Sequence, residues 1–220
     1  MIYSNQYATG NKPIGIASLS AILKREGHEF KLFDCTQFSI VRKGEFSDWN
    51  KTGEKALQFM QAENHERLPH REEVTYDQLI NKVIEDISIY NPDMIGLSAL
   101  SDDYPLGLRI MEKVKKNFSY IPTIAGGVHA TIDPAGVISE NCFDMVCIGE
   151  GEYVILDIAK RIDENKNFSK IKNLWIKDKE GIIEKNSVRP YEQNLDNFPH
   201  PDWSIYPETA WYKPYKGKVY

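Results

Sequence analysis

Apolar residues recur at helical spacing from Ile14 to Arg25 (Ile16, Leu19, Ile22, Leu23), and Gly27 stands at the C′ position just past that run. Ile2-Tyr3 reads as part of a short first strand, and Phe30 to Asp34 as a second. From Tyr76 to Tyr90, Leu79, Val83, Ile84 and Ile87 make one helical face, which Asn91-Pro92 ends. Three strands follow: Asp93 to Ser98, Pro122 to Ala125 and Asp144 to Ile148. Helices are predicted after each of them: Leu106 to Phe118, Pro134 to Glu140 and Glu152 to Asn165. Strands alternating with helices predict βαβ units and a parallel sheet with right-handed crossovers. The three later strands are continuous apolar runs, as expected of strands covered on both faces.

Two regions break the alternation. Residues from about Val41 to Glu73 are polar and irregular, with a helix predicted from Gly53 to Asn64. That block is too long for an ordinary connection and reads as an insertion. After Asn165, Leu174 to Lys177 and Ile182 to Lys185 flank Asp178-Lys179-Glu180-Gly181, a β-hairpin with a Gly-containing turn. From Pro190 the chain is rich in proline and aromatics, an ordered or semi-ordered linker rather than a domain core. The expected division is an α/β domain over residues 1–165, then a hairpin and linker over 166–220.

Composition narrows the class. A formal net charge of -5 without a basic stripe argues against a nucleic-acid surface. The longest apolar runs, such as Met94 to Leu100, are far too short to span a bilayer. Met1 to Gln6 has neither the basic nor the apolar region of a signal peptide. Cys35, Cys142 and Cys147 lack metal-type spacing and read as buried small apolar residues in a reducing cytoplasm.

In an open parallel sheet, ligands bind beyond the carboxyl ends of the strands, at a topological switch point. Three loops rich in small residues fall at such ends. They are Gly96-Leu97-Ser98-Ala99-Leu100-Ser101, Ala125-Gly126-Gly127-Val128-His129-Ala130-Thr131 and Ile148-Gly149-Glu150-Gly151-Glu152. Adjacent glycines let a backbone approach a ligand and accept positive φ. A following helix N-terminus offers N–H groups to an anion, and Ser98 and Ser101 offer hydroxyls. Each loop alone is equally a turn chosen for geometry; three at one edge predict a cleft. His129 reads either as a ligand or acid–base group or as a satisfied loop histidine. Asp102-Asp103 reads as an N-cap of the helix that follows. Gly149-Glu150-Gly151 lacks the third glycine of a dinucleotide fingerprint, Val154 standing there. Neither a phosphate loop nor a Gly-x-Ser-x-Gly elbow occurs. No catalytic residue and no metal ligand is assigned.

The run Lys12-Pro13-Ile14-Gly15-Ile16-Ala17-Ser18-Leu19, then Lys24-Arg25-Glu26-Gly27-His28-Glu29 and Asp34, resembles the opening of cobalamin (vitamin B12)-binding domains that precede radical SAM domains. Ser98-Ala99-Leu100 and Gly126-Gly127 resemble that family's Ser-x-Leu and Gly-Gly elements. The stretch Gly126 to Thr131, then Asp144 and Gly149-Glu150-Gly151-Glu152, is the most specific part. Leu195 to Asp202 is similar to the link into the radical SAM barrel. The resemblance implies a flavodoxin-like, doubly wound five-stranded parallel sheet in the order 2-1-3-4-5. It implies cobalamin as cofactor, with its tail beside Ser98, Gly126 and Gly127, and places Pro13 and Gly15 at the site. The Asp-x-His-x-x-Gly motif whose histidine binds cobalt in related methyltransferases and mutases is missing; Thr9 to Pro13 occupy its place. The resemblance therefore implies a base-off cofactor without a protein histidine ligand. The Cys-x-x-x-Cys-x-x-Cys motif for a [4Fe–4S] cluster is absent from the chain. Cluster, S-adenosylmethionine and the barrel, as the domain's partner, are expected beyond Tyr220, in a full-length enzyme possessing methyl-transfer or related radical chemistry. Two alternatives stay open: a degenerate domain that scaffolds without cobalamin, and a small-molecule enzyme using His129 with Asp102 or Asp103.

Overall fold

The structure is a computed structural model that describes residues 1–5, 12–41 and 71–207, with the backbone of a short strand pair at Pro214–Tyr215 and Lys218–Val219. The helix expected over Gly53 to Asn64 lies outside the described residues.

Five short strands form the parallel core: β1 (Ile2–Tyr3), β2 (Phe33–Asp34), β5 (Ile95–Ser98), β6 (Thr123–Gly126) and β7 (Met145–Cys147). They run in the order β2-β1-β5-β6-β7. Counted among themselves this is 2-1-3-4-5, the flavodoxin-like order. Helices α1 (Ile14–Arg25), α2 (Tyr76–Tyr90), α3 (Tyr104–Asn117), α4 (Val128–Ile132), α5 (Pro134–Ser139) and α6 (Glu152–Asp163) connect or follow them. Because side chains alternate along a strand, β6 and β7 each feed two cores, and β5 feeds one. Ile95, Leu97, Ala125 and Val146 pack with Leu79, Val83, Ile110 and Met111 of α2 and α3. Ile124, Met145 and Cys147 pack with Val154 and Ile158 of α6. Ile22 and Leu23 of α1 meet Ile155 and Ala159 of α6.

Local chemistry sets the helix ends. Thr75 and Gln78 close a capping box on α2, and Asn91 ends it with φ 49°. Asp133 accepts from the Gly136 N–H at the start of α5. Asp103 occupies the N-cap position of α3 but makes no side-chain cap bond, and its residue is buried. The capping expected of Asp102-Asp103 is thus not made, because the carboxylate of Asp103 faces the interior.

The second strand is shorter than the expected Phe30 to Asp34, because β1 offers it a ladder of only two residues, Ile2↔Phe33 and Tyr3↔Asp34. β3 (Phe38–Ile40) and β4 (Glu72–Val74) pair in parallel as a separate ribbon. The irregular block therefore ends in a strand, two residues inside its expected limit.

The hairpin β8 (Leu174–Lys177) and β9 (Ile183–Lys185) joins the main sheet: β8 pairs antiparallel with β7, and β9 with β8. The proline-rich segment beyond runs over α6 and α1. Arg189 pairs with Asp157 at 3.0 Å. Phe198 meets the Tyr153 ring at 5.1 Å. The N–H of Asp202 donates to the Ala17 carbonyl (2.9 Å), and its carboxylate accepts from Ser20 and Lys24. Burial works to raise the Asp202 pKa, but hydrogen bonds from Lys24, Ser204 and Ser20 outweigh it and hold the carboxyl well below the usual range. Tyr206, 4% exposed, donates its hydroxyl to the Pro13 carbonyl at 3.1 Å.

Candidate functional site

The sheet order places a switch point between β1 and β5. From there the chain winds to β2 on one side and to β6 and β7 on the other. Register aligns the carboxyl ends: Tyr3 faces Ser98, and Ser98 faces Gly126. The first two of the expected loops thus begin side by side.

The loop after β5 continues the ladder for one residue, with Ala99 N–H donating to the Gly126 carbonyl at 3.3 Å. Ser98 is half-buried and Ala99 buried, while Leu100 and Ser101 are exposed. The second loop turns at Gly127, whose φ of 91° and ψ of -168° are open essentially only to glycine. A Cβ there would stand 2.9 Å from the Ala99 carbonyl oxygen and 3.2 Å from Ser98 Oγ. Gly126 differs: a Cβ would meet only Cys147, at 3.8 Å, so the space over its backbone is open.

The Gly-Gly turn leads directly into α4, a five-residue helix that the sequence pattern did not indicate. So few peptide units make a weak dipole, so α4 is not the anion cradle expected from a helix N-terminus. Within it, the His129 N–H donates to the Ala99 carbonyl at 3.2 Å. His129 Nδ1 lies 3.1 Å from Ser101 Oγ, and its ring packs 4.0 Å from that of Tyr104. This geometry gives no support to an acid–base pairing of His129 with Asp102 or Asp103. Tyr104 OH is buried without a hydrogen-bond partner among the described residues, and burial, then the charge of Glu140, raises its pKa. Thr131 Oγ1 donates to the Gly127 carbonyl and accepts from the Gly149 N–H, each at 3.0 Å.

The third loop is held on its other flank. Gly149 has φ 76°. The Glu150 carboxylate accepts from the Glu192 N–H at 3.0 Å, and its carbonyl from Asn173 Nδ2 at 3.3 Å. Gly151 precedes α6, whose first turn carries Glu152, so that helix N-terminus already has its negative charge. Pro13 and Gly15 open α1 at the same edge beyond β1. There Lys12 reaches Asp34 and Thr36 at 3.4 Å each. Hydrogen bonds join Ala99, Gly126, His129 and Ser101 in one group and Gly127, Thr131 and Gly149 in a second, with Ser98 in register beside Gly126, while Glu150 is committed to the C-terminal segment. Val128 is 52% and Ile132 71% exposed, and with Leu100 they give the edge an apolar, accessible rim.

Asn173, Glu192 and Tyr206 support this edge but carry no local sequence signal, since each acts on a partner more than twenty residues away. Burial pushes the Cys142 and Cys147 thiols up to about 12, which keeps them protonated and poor ligands. A cavity of about 360 Å³ opens at the opposite, amino ends of the strands, among Leu23, Phe33, Ile87, Tyr90 and Ile155. Fold topology places the ligand edge at the carboxyl ends, and the convergent polar groups stand there. Among the described residues no helix is long and apolar enough to cross a membrane.

Residues 68–159, which contain β5 to β7 and all three loops, match the family model of the B12 binding domain. Over 136 residues the chain is 28% identical to an uncharacterized methyltransferase of Pyrococcus horikoshii, covering 60% of this chain and 28% of the relative. It is 26% identical to the anaerobic magnesium-protoporphyrin IX monomethyl ester cyclase of Rubrivivax gelatinosus, covering 60% and 24%. The chain thus spans about a quarter of the length of these curated relatives. Its fold is shared with the cobalamin-dependent S-adenosylmethionine radical enzyme OxsB with aqua-cobalamin and S-adenosylmethionine bound (TM-score 0.64, 16% identity, 93% of this chain and 24% of that one). It is shared also with the radical S-adenosylmethionine methyltransferase TsrM of Kitasatospora setae with cobalamin and a [4Fe–4S] cluster bound (TM-score 0.57, 14% identity, 84% and 30%). The α/β fold of this chain is therefore the one these two structures contain over the matched part of their length.

Proposed function

We propose that this chain is the cobalamin-binding module of a B12-dependent radical SAM enzyme. Residues 1–165 are the cofactor domain, and residues 166–220 lead through the hairpin and strap toward a radical SAM domain of the same polypeptide. That domain holds the [4Fe–4S] cluster and S-adenosylmethionine, and the whole enzyme is cytoplasmic. The observation that carries the reading is the register of Ser98 beside Gly126 at the switch-point edge, inside the segment that matches the B12 binding family.

The groups present fit such a cofactor. Open space over Gly126 and the half-buried hydroxyl of Ser98 suit a polar nucleotide tail. The exposed side chains of Leu100 and Val128 suit the apolar face of a macrocycle. Ser101 and His129 hold each other at the rim through His129 Nδ1, 3.1 Å from Ser101 Oγ, which leaves the other ring nitrogen to hydrogen-bond a polar group of the ligand. Gly149 to Glu152 and the Pro13–Gly15 turn bound the cleft on its two sides. When bound, cobalamin supplies methyl transfer or tuning of a radical reaction, and the protein supplies position and environment. The sequence has no Asp-x-His-x-x-Gly motif, so no protein histidine from that motif would ligate the cobalt, and a tail inserted beside Ser98 would carry its base away from the metal.

Comparing two corrinoids tests the placement. Hydroxocobalamin and diaquocobinamide, which lacks the nucleotide tail, are measured by equilibrium dialysis. A tail groove predicts that cobinamide binds at least about tenfold more weakly, the worth of one or two net hydrogen bonds plus the buried base. Equal affinities would remove the tail groove, and retention of neither corrinoid would leave the domain as a scaffold.

A further inference from the structure

Two loops that turn on glycines need something to set the gap between them. The second loop turns at Gly127 (φ 91°) and the third at Gly149 (φ 76°), both in backbone regions that few other residues adopt. The β6–β7 ladder ends before either turn, its last pair being Ala125↔Val146. Beyond it, among the described residues, the hydrogen bonds that join the two loops pass through one atom. Thr131 Oγ1 gives its proton to the Gly127 carbonyl and takes the Gly149 N–H, both at 3.0 Å. The far flank of the third loop is fixed by Glu192 and Asn173 on Glu150, so moving Gly149 relative to Gly127 requires breaking the threonine bridge.

We infer that Thr131 is a positioning residue for the cofactor: its hydroxyl sets the spacing of the Gly127 and Gly149 loops beyond the carboxyl ends of β6 and β7, without touching the ligand itself. This inference rests on the cobalamin reading above. A hydroxyl has a single proton, and here it is spent on Gly127, so Thr131 has none to donate to a cofactor. The residue is exposed and lies outside the hydrophobic clusters. Its hydroxyl is therefore dispensable for packing, and its work is confined to the two loops. Backbone and side chain of Thr131 also act together, since its N–H donates to the same Gly127 carbonyl at 3.2 Å. Removing the hydroxyl leaves that carbonyl partnered but strands the Gly149 N–H.

The substitutions Thr131→Val and Thr131→Ser separate the hydroxyl from the shape. Valine keeps the branched outline and loses both side-chain bonds; serine keeps the bonds. Affinity for hydroxocobalamin is measured by equilibrium dialysis on wild type and both variants, with urea midpoints and amide exchange at Gly149 in the protein without cobalamin. The expected result is an affinity about tenfold lower in T131V and within about twofold of wild type in T131S, as one or two net hydrogen bonds imply. Exchange at Gly149 should accelerate in T131V alone, with nearly unchanged urea midpoints. T131V binding as tightly as wild type would overturn the bridge, as would T131S binding as weakly as T131V, since the hydroxyl would then not matter. Failure of wild type itself to bind would overturn the cobalamin reading, and this inference with it.

Discussion

Gly127→Val is expected to abolish cobalamin retention and to destabilise the fold by about 3 kcal/mol, the sum of a glycine-only backbone and a steric clash. The native φ of 91° with ψ of -168° lies in a region that a β-branched residue does not populate. A side chain would also meet the Ala99 carbonyl oxygen at 2.9 Å and the Ala99 nitrogen at 3.1 Å. Those atoms are backbone, held by the Ala99–Gly126 and His129–Ala99 bonds, so they cannot swing aside as a flexible side chain would. Relief comes only by lifting the second loop off the first, which opens the array that aligns Ser98, Gly126 and His129. Urea unfolding and gel filtration with hydroxocobalamin check both halves. A variant with wild-type stability and wild-type retention would mean that the turn at Gly127 is not required.

Ser98→Leu should leave a folded protein whose affinity for hydroxocobalamin falls about a hundredfold, because a ligand tail excluded from its groove loses both contacts and burial. The position is chosen by geometry. Ser98 ends β5 in register with Gly126, and its Oγ lies 3.2 Å from where a Gly127 Cβ would stand. A leucine here projects into the space between the first two loops. Overpacking costs about 1–3 kcal/mol, so affinity must be read on protein whose circular dichroism and urea midpoint show it folded. Ser98→Ala supplies the control: it loses one hydroxyl and should weaken binding by about three- to tenfold. Equal affinity in wild type and S98L would move the tail away from β5.

The central architecture was legible because its strands are buried on both faces. Ile95 to Ser98, Thr123 to Gly126 and Met145 to Cys147 read as short apolar runs between strongly periodic helices, and their carboxyl ends carry the small residues that mark the edge. The shorter features were not legible. A five-residue helix such as α4 holds too little periodicity to outweigh the turn signal of Gly126-Gly127. β3 and β4 are three residues each and, among the described residues, pair only with one another, so neither shows a buried run. The sequence identified Thr131 and Glu150 as site residues from their loops, yet their partners, Gly149 and Glu192, depend on how distant segments meet. The proline- and aromatic-rich segment read as a linker because composition does not reveal that Asp202 and Tyr206 find buried partners on α1 and at Pro13.

The most direct test of the account is a titration of the purified protein with hydroxocobalamin, followed by its visible spectrum and by the cobalamin retained after gel filtration. Saturation at one cofactor per chain is predicted, with the spectral change that accompanies release of dimethylbenzimidazole from cobalt. Absence of retained cobalamin, in this chain and in any longer polypeptide that contains it, would contradict the account.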